Sequence, residues 1–98
     1  MLKLKDSVNI DELTKIGFVS FKVDRRQTNY YFAVRRGGKV ILINDVRREV
    51  VVDNICEPQP MFPKGDTRIH ANIKWQPKNT LVEDGIFALC AAGLVERV

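Results

Sequence analysis

Residues able to do covalent or proton-transfer chemistry are few in this chain. His70 is the single histidine, and Cys56 and Cys90 are the two cysteines. A thiol nucleophile and a histidine base meet in space rather than in sequence, so Cys56 with His70 is a dyad possible in principle. The setting argues against it. His70 lies in the alternating run Arg68-Ile69-His70-Ala71-Asn72, and its neighbours on the same strand face are a cation and an amide. These supply neither a metal shell nor a carboxylate to orient the ring, and His70 reads as a solvent-facing strand residue. Cys90, within Phe87-Ala88-Leu89-Cys90-Ala91, reads as a small buried hydrophobe, and Cys56 as a free thiol in a loop. Two cysteines without ligand spacing make neither a zinc site nor a disulfide framework.

The carboxylates Asp11, Glu12, Glu49, Asp53, Asp66, Glu83 and Asp84 are scattered, and no two share a context that calls for acid–base work. Neither glycine-rich phosphate signature is present. The expectation is a protein that is not an enzyme, with no catalytic residue, no metal and no cofactor.

The patterned surface feature is basic: Arg25-Arg26, Arg35-Arg36 with Lys39, and Arg47-Arg48. In an antiparallel meander the first and third strand-to-strand loops share one end of the sheet. Arg25, Arg26, Arg47 and Arg48 therefore converge, with Arg36 and Lys39 at the opposite end, and Tyr30 and Tyr31 lie within reach for base stacking. The four arginines are the candidate contact to nucleic acid or an acidic partner. The plain alternative is solvated turn charge that guards sheet edges. A net charge of +4 permits either reading.

The elements that position these residues follow from punctuation and periodicity. Asn9 with Glu12 forms a capping box, Val8 with Leu13 a hydrophobic staple, and Gly17 followed by Phe18 a left-handed helix ending. A strand from Phe18 to Val23 follows. Asn29 to Arg36 and Lys39 to Asn44 make a hairpin around a two-residue Gly37-Gly38 turn, which sets Arg36 opposite Lys39, Val34 opposite Ile41 and Phe32 opposite Ile43. Tyr30, Phe32, Val34, Ile41 and Ile43 then share one face, and Tyr31, Ala33, Arg35, Val40, Leu42 and Asn44 the other. Glu49 to Val52 is a fourth strand. Residues 53–67, interrupted by Pro58, Pro60 and Pro63, form a proline-rich loop that excludes an interior strand or helix. Arg68 to Trp75 alternates as a half-buried strand. Thr80 with Glu83 opens a second helix to about Ala92 with Val82, Ile86, Leu89 and Cys90 as its buried stripe. Gly93-Leu94 repeats the first helix ending, and Leu94 to Val98 adds a closing strand.

The fold expected is α+β, one domain over residues 1–98: an antiparallel β-meander of four to six strands with two short helices packed on one face. Two helices cover one side of such a sheet only. Tyr31, Val40 and Leu42 on the other side are too apolar for open water. They are the candidate interface for a protein partner or for self-association, unless Met61 and Phe62 fold over them.

No run of eighteen apolar residues occurs and the N-terminus lacks an apolar core segment, so neither a membrane span nor a signal peptide is expected and the setting is cytoplasmic. The opening, residues 1–18, is lysine-rich, then carries Asp6-Ser7-Val8-Asn9, the pair Glu12-Leu13 and the close Gly17-Phe18. The ending is Ala92-Gly93-Leu94-Val95-Glu96-Arg97-Val98. Both stretches resemble small proteins from phages and prophages of low-GC Gram-positive bacteria. The resemblance covers about a quarter of the chain, at its two ends. It implies a setting, the host cytoplasm, and carries over no functional residues. Two functions follow as expectations. One is an accessory protein that binds a host or phage protein, inhibition of a host process being one form of this. The other is a small basic nucleic-acid-binding module.

Overall fold

The computed structural model describes residues 1–22, 25–54 and 73–98. Their elements run β1 (Leu2–Leu4), α1 (Glu12–Lys15), β2 (Val19–Lys22), β3 (Thr28–Val34), β4 (Lys39–Asn44), β5 (Val50–Asn54), α2 (Val82–Ala91) and β6 (Val95–Arg97). Strands β2-β3-β4-β5 form a four-stranded antiparallel meander, and β1 pairs antiparallel with β6 in a separate two-stranded sheet. The architecture is the expected α+β meander.

Strand pairing differs from the expected register by two residues. Val34 faces Lys39, Phe32 faces Ile41 and Tyr30 faces Ile43. The strands separate one step earlier than a two-residue turn requires, and Arg35 to Gly38 make a four-residue loop closed by the Gly38 N–H on the Arg35 carbonyl at 3.1 Å. Gly37 and Gly38, at φ 80° and 60°, supply the left-handed backbone this loop needs. Because side chains alternate with period two, a slip of two leaves every residue on its expected face.

Both helices pack on the face carrying Tyr30, Phe32, Val34, Ile41 and Ile43, where Leu4, Leu13, Phe18, Leu89 and Leu94 complete a buried core. The two helices end alike. The Phe18 N–H reaches the Leu13 carbonyl and the Gly17 N–H the Thr14 carbonyl. Leu94 and Gly93 repeat the pattern on Leu89 and Cys90. Gly17 and Gly93 both have positive φ, 102° and 69°, as this ending demands.

The helix starts depart from expectation. Asn9 accepts from the Asp11 N–H at 3.0 Å in a local turn, and Glu12 pairs with Lys15 instead of reaching back to Asn9. In α2 the reciprocal bond forms one residue later than the Thr80–Glu83 box: the Asp84 carboxylate accepts the Leu81 N–H at 2.9 Å. The helix therefore begins at Val82, and Val82, Ile86 and Leu89 of the expected stripe pack on the core. Gly85 and Leu89 are buried, while Cys90 is exposed rather than a core residue.

The closing strand belongs with β1, a strand not expected from the N-terminal residues, and pairs Leu4 with Val95 and Leu2 with Arg97. A single antiparallel bridge, Lys3 with Glu49, ties this pair to the start of β5. Of the expected Arg68–Trp75 strand, residues 68–72 lie outside the described residues. Trp75 makes one parallel bridge to Ala33, past the end of β2. Cys56, Met61, Phe62 and His70 also lie outside the described residues, as do residues 55–67 of the expected loop. No helix among the described residues is long and apolar enough to cross a membrane.

Candidate functional site

The candidate arginines belong to the loops before β3 and after β4, which the meander places at one end of the sheet. Side chains tie these loops together. Asn44, 8 % exposed, donates from Nδ2 to Asn29 Oδ1 at 2.7 Å and to Gln27 Oε1 at 3.2 Å. Asn44 Oδ1 in turn accepts the N–H groups of Val46 and Arg47 at 2.9 and 3.1 Å, and the Asp45 N–H reaches the Thr28 carbonyl. Arg25, Arg26 and Arg47 are exposed on this framework.

Arg48 is not. Its backbone takes φ 62°, the one left-handed non-glycine residue among those described. Its Nη2 donates to the carbonyls of Lys5 at 2.6 Å and Val8 at 2.5 Å, and its own carbonyl accepts the Leu4 N–H at 2.7 Å. The guanidinium is spent on stitching the N-terminal segment to the β4–β5 turn. The expectation that Arg48 joins a ligand-facing cluster is corrected on that ground: its Nη2 is held by two backbone carbonyls and its Nε is buried, so the side chain does not present a fork to a phosphate.

Tyr30 borders the same end. Its hydroxyl donates to Asp11 Oδ1 at 3.0 Å. Burial pushes the phenol above its ordinary pKa, and the Asp11 hydrogen bond and the negative charges of Asp11 and Asp45 push the same way. Tyr30 and Tyr31 are both buried, so neither presents a ring for base stacking.

The second sheet face is closed by the chain itself. Tyr31, Ala33, Val40 and Leu42 form a buried cluster, with Val19, Phe21, Val51, Ile73 and Trp75 packed against it. Tyr31, Val40 and Leu42 are 6 %, 1 % and 1 % exposed. The expected interface at these three residues is therefore corrected, because they offer a partner no open surface. Ile73 and Trp75 are the described residues that cross this face. The Tyr31 hydroxyl accepts the Lys74 N–H at 3.1 Å, the Ala33 carbonyl accepts the Gln76 N–H at 2.9 Å, and Gln76 Nε2 donates to the Gly17 carbonyl at 2.7 Å.

An exposed apolar surface lies instead on the outer side of α2. Glu83, Asp84, Phe87, Cys90 and Ala91 fall at helical spacing on one face and all are exposed. Phe87 is 73 % exposed, the most open apolar side chain of the molecule's described part. The first helical turn is acidic and the last turn carries no base. This face thus couples a protruding ring to small neighbours on one side and two carboxylates on the other. Sequence reasoning counted Cys90 into the core stripe with Val82, Ile86 and Leu89; those three do pack on the core, and Cys90 lies on this outer face instead. The signal that identifies it is Gly85, one turn before Leu89, which only makes sense where the helix touches the sheet.

Among the described residues no cluster of three or more His, Cys, Asp or Glu side chains could hold a metal ion. No protein-family model matches the chain, and no curated protein and no solved structure is significantly similar to it.

Proposed function

We propose that this chain is a small protein-binding module whose contact face is the outer side of α2, centred on Phe87. The observation that carries the reading is the exposure of Phe87 at 73 % on a face whose other members are small or acidic. Leaving a phenylalanine in water forgoes roughly 2 kcal/mol or more of burial, and aromatic side chains ringed by lesser contacts are the usual anchors of protein interfaces. Glu83 and Asp84, one turn away, select a partner with an apolar pocket and a basic rim. The terminal motifs supply the setting: an accessory protein of phage or prophage type acting in the host cytoplasm, for which binding and blocking a host protein is the simplest mode of action.

The test is capture of partners from a lysate of a low-GC Gram-positive bacterium, with and without nuclease. The expected result is a protein that survives nuclease treatment and is lost with Phe87→Ser. A second reading, nucleic-acid binding, is favoured by the side-chain ties that hold the loops of Arg25, Arg26 and Arg47 at one end. Loss of all partners on nuclease treatment, together with binding that survives Phe87→Ser but not serine at those three arginines, would replace the first reading by the second.

A further inference from the structure

We propose that Arg35, stacked on Trp75, is the binding group of a phosphate site at the β3–β4 hairpin end. This is the end of the sheet opposite the loops of Arg25 and Arg47. The ligand is a phosphate carried by a nucleotide or by a nucleic-acid strand.

Arg35 continues β3 past Val34, and alternation puts it on the face of Tyr31 and Ala33. Its Cζ stands 4.8 Å from the centroid of the Trp75 ring. The ring is a firm platform, because the backbone on both sides of it is bonded to Tyr31 and Ala33 and the neighbouring Gln76 side chain is bonded to Gly17. A guanidinium held over an indole ring by its charge keeps its N–H groups for a further acceptor. Among the described residues no hydrogen bond or ion pair involves the Arg35 guanidinium, and the residue is exposed. Its donors are unspent among the described residues, unlike Nη2 of Arg48.

The surroundings favour an anion. Arg36 and Lys74 are exposed and flank the pair in sequence, while Lys39, opposite Val34, lies on the other face and donates to the Asn54 side chain at 2.6 Å. The carboxylate on this face is Asp53, opposite Val40. It accepts the Asn54 N–H at 2.8 Å and makes no ion pair among the described residues. Among the described residues three cations, Arg35, Arg36 and Lys74, thus stand against this one acid. The other end mixes Asp6, Asp11 and Asp45 with its arginines. A planar fork matches two phosphate oxygens, and a side chain already held by stacking loses less freedom on binding. With Arg35 on its ring, Trp75 gives that surface to the guanidinium rather than to a base, so recognition is of phosphate and not of sequence.

Trp75 is the only tryptophan in the chain, so intrinsic fluorescence reads this site alone. The native chain is titrated with inorganic phosphate, adenosine monophosphate, an oligothymidylate and polyglutamate. A saturable change in Trp75 emission with the oligothymidylate is expected. Arg35→Lys keeps the charge and the stack but loses the fork. It should weaken binding about tenfold, with folding unchanged by circular dichroism and the salt slope kept, whereas Arg35→Ser should also flatten the log–log slope by about 0.7. Arg25→Ser with Arg47→Ser should leave this binding intact. Equal affinity for adenosine monophosphate assigns a nucleotide as the ligand, and preference for the oligothymidylate assigns a strand. The proposal is overturned by no saturable change with any phosphate-bearing probe, by Arg35→Lys binding as tightly as the native chain, or by polyglutamate binding as tightly as oligothymidylate. None of these outcomes touches the Phe87 face, so each reading fails separately.

Discussion

Gly85 of α2 lies directly on Phe32 of β3: a Cβ at position 85 would stand 2.8 Å from Phe32 Cδ1 and 2.6 Å from Ile41 Cδ1. Glycine in a helix interior costs up to about 1 kcal/mol relative to alanine, yet here it lets the helix descend onto the sheet. Gly85→Ala should therefore destabilise despite its better helix propensity. The Ile41 methyl can rotate away, but the Phe32 ring is braced by Phe18, with centroids 5.3 Å apart. A net loss of about 1–2 kcal/mol is expected from overpacking, read as a lower denaturant midpoint with unchanged slope. A raised midpoint would mean that α2 can lift off the sheet at no cost.

Arg48 gives the second prediction. Arg48→Ala strips donors from the Lys5 and Val8 carbonyls while keeping an unfavourable left-handed backbone at φ 62°. A loss of about 2–3 kcal/mol is expected, since hydrogen bonds to charged groups are the stronger kind. Arg48→Gly loses the same bonds but relieves the backbone, and should be less harmful than alanine by about 1 kcal/mol. Hydrogen exchange locates the damage. The Leu4 amide, bonded to the Arg48 carbonyl, should lose protection before the amides of β3 and β4. Equal loss in all strands would show that Arg48 supports the whole fold and not the N-terminal stitch.

These residues also show where sequence reasoning reaches and where it stops. The assignment of Phe32, Val34, Ile41 and Ile43 to one face and Tyr31, Ala33, Arg35, Val40 and Leu42 to the other survived a two-residue error in register, because faces depend on parity while pairing depends on the loop. Helix endings at Gly17 and Gly93 were legible because the positive φ they need restricts the residue type. The role of Gly85 was not legible, because a glycine that makes a close approach looks in sequence like one that merely weakens a helix. The stripe Val82, Ile86 and Leu89 was legible and packs on the core as expected, while Cys90, counted into it, falls outside. Strand β1 was missed because Leu2-Lys3-Leu4 is too short to show a period, and its partner is more than ninety residues away. The spent state of Arg48 and the unspent state of Arg35 are tertiary facts: both sit in Arg-Arg pairs, and nothing local separates them.

The last prediction concerns alkaline pH. Tyr30 is 5 % exposed and donates to Asp11, and burial, that bond and the nearby carboxylate charges all raise its pKa above the ordinary 10.0. In the unfolded chain the phenol loses its proton near pH 10, while in the folded chain it holds the proton to higher pH. Below pH 10 both states are protonated and the contribution of Tyr30 is fully present. As pH rises from there through the folded-state pKa, the unfolded state binds fewer protons and stability falls. Denaturant melts between about pH 9 and 11 should show this decline, and Tyr30→Phe should flatten it, although lysines titrate in the same range in both proteins. Near-ultraviolet absorbance gives an independent reading, because the chain has two tyrosines and one of them should ionise late. An alkaline stability profile identical in the native chain and Tyr30→Phe would show that the Tyr30–Asp11 bond is not coupled to folding.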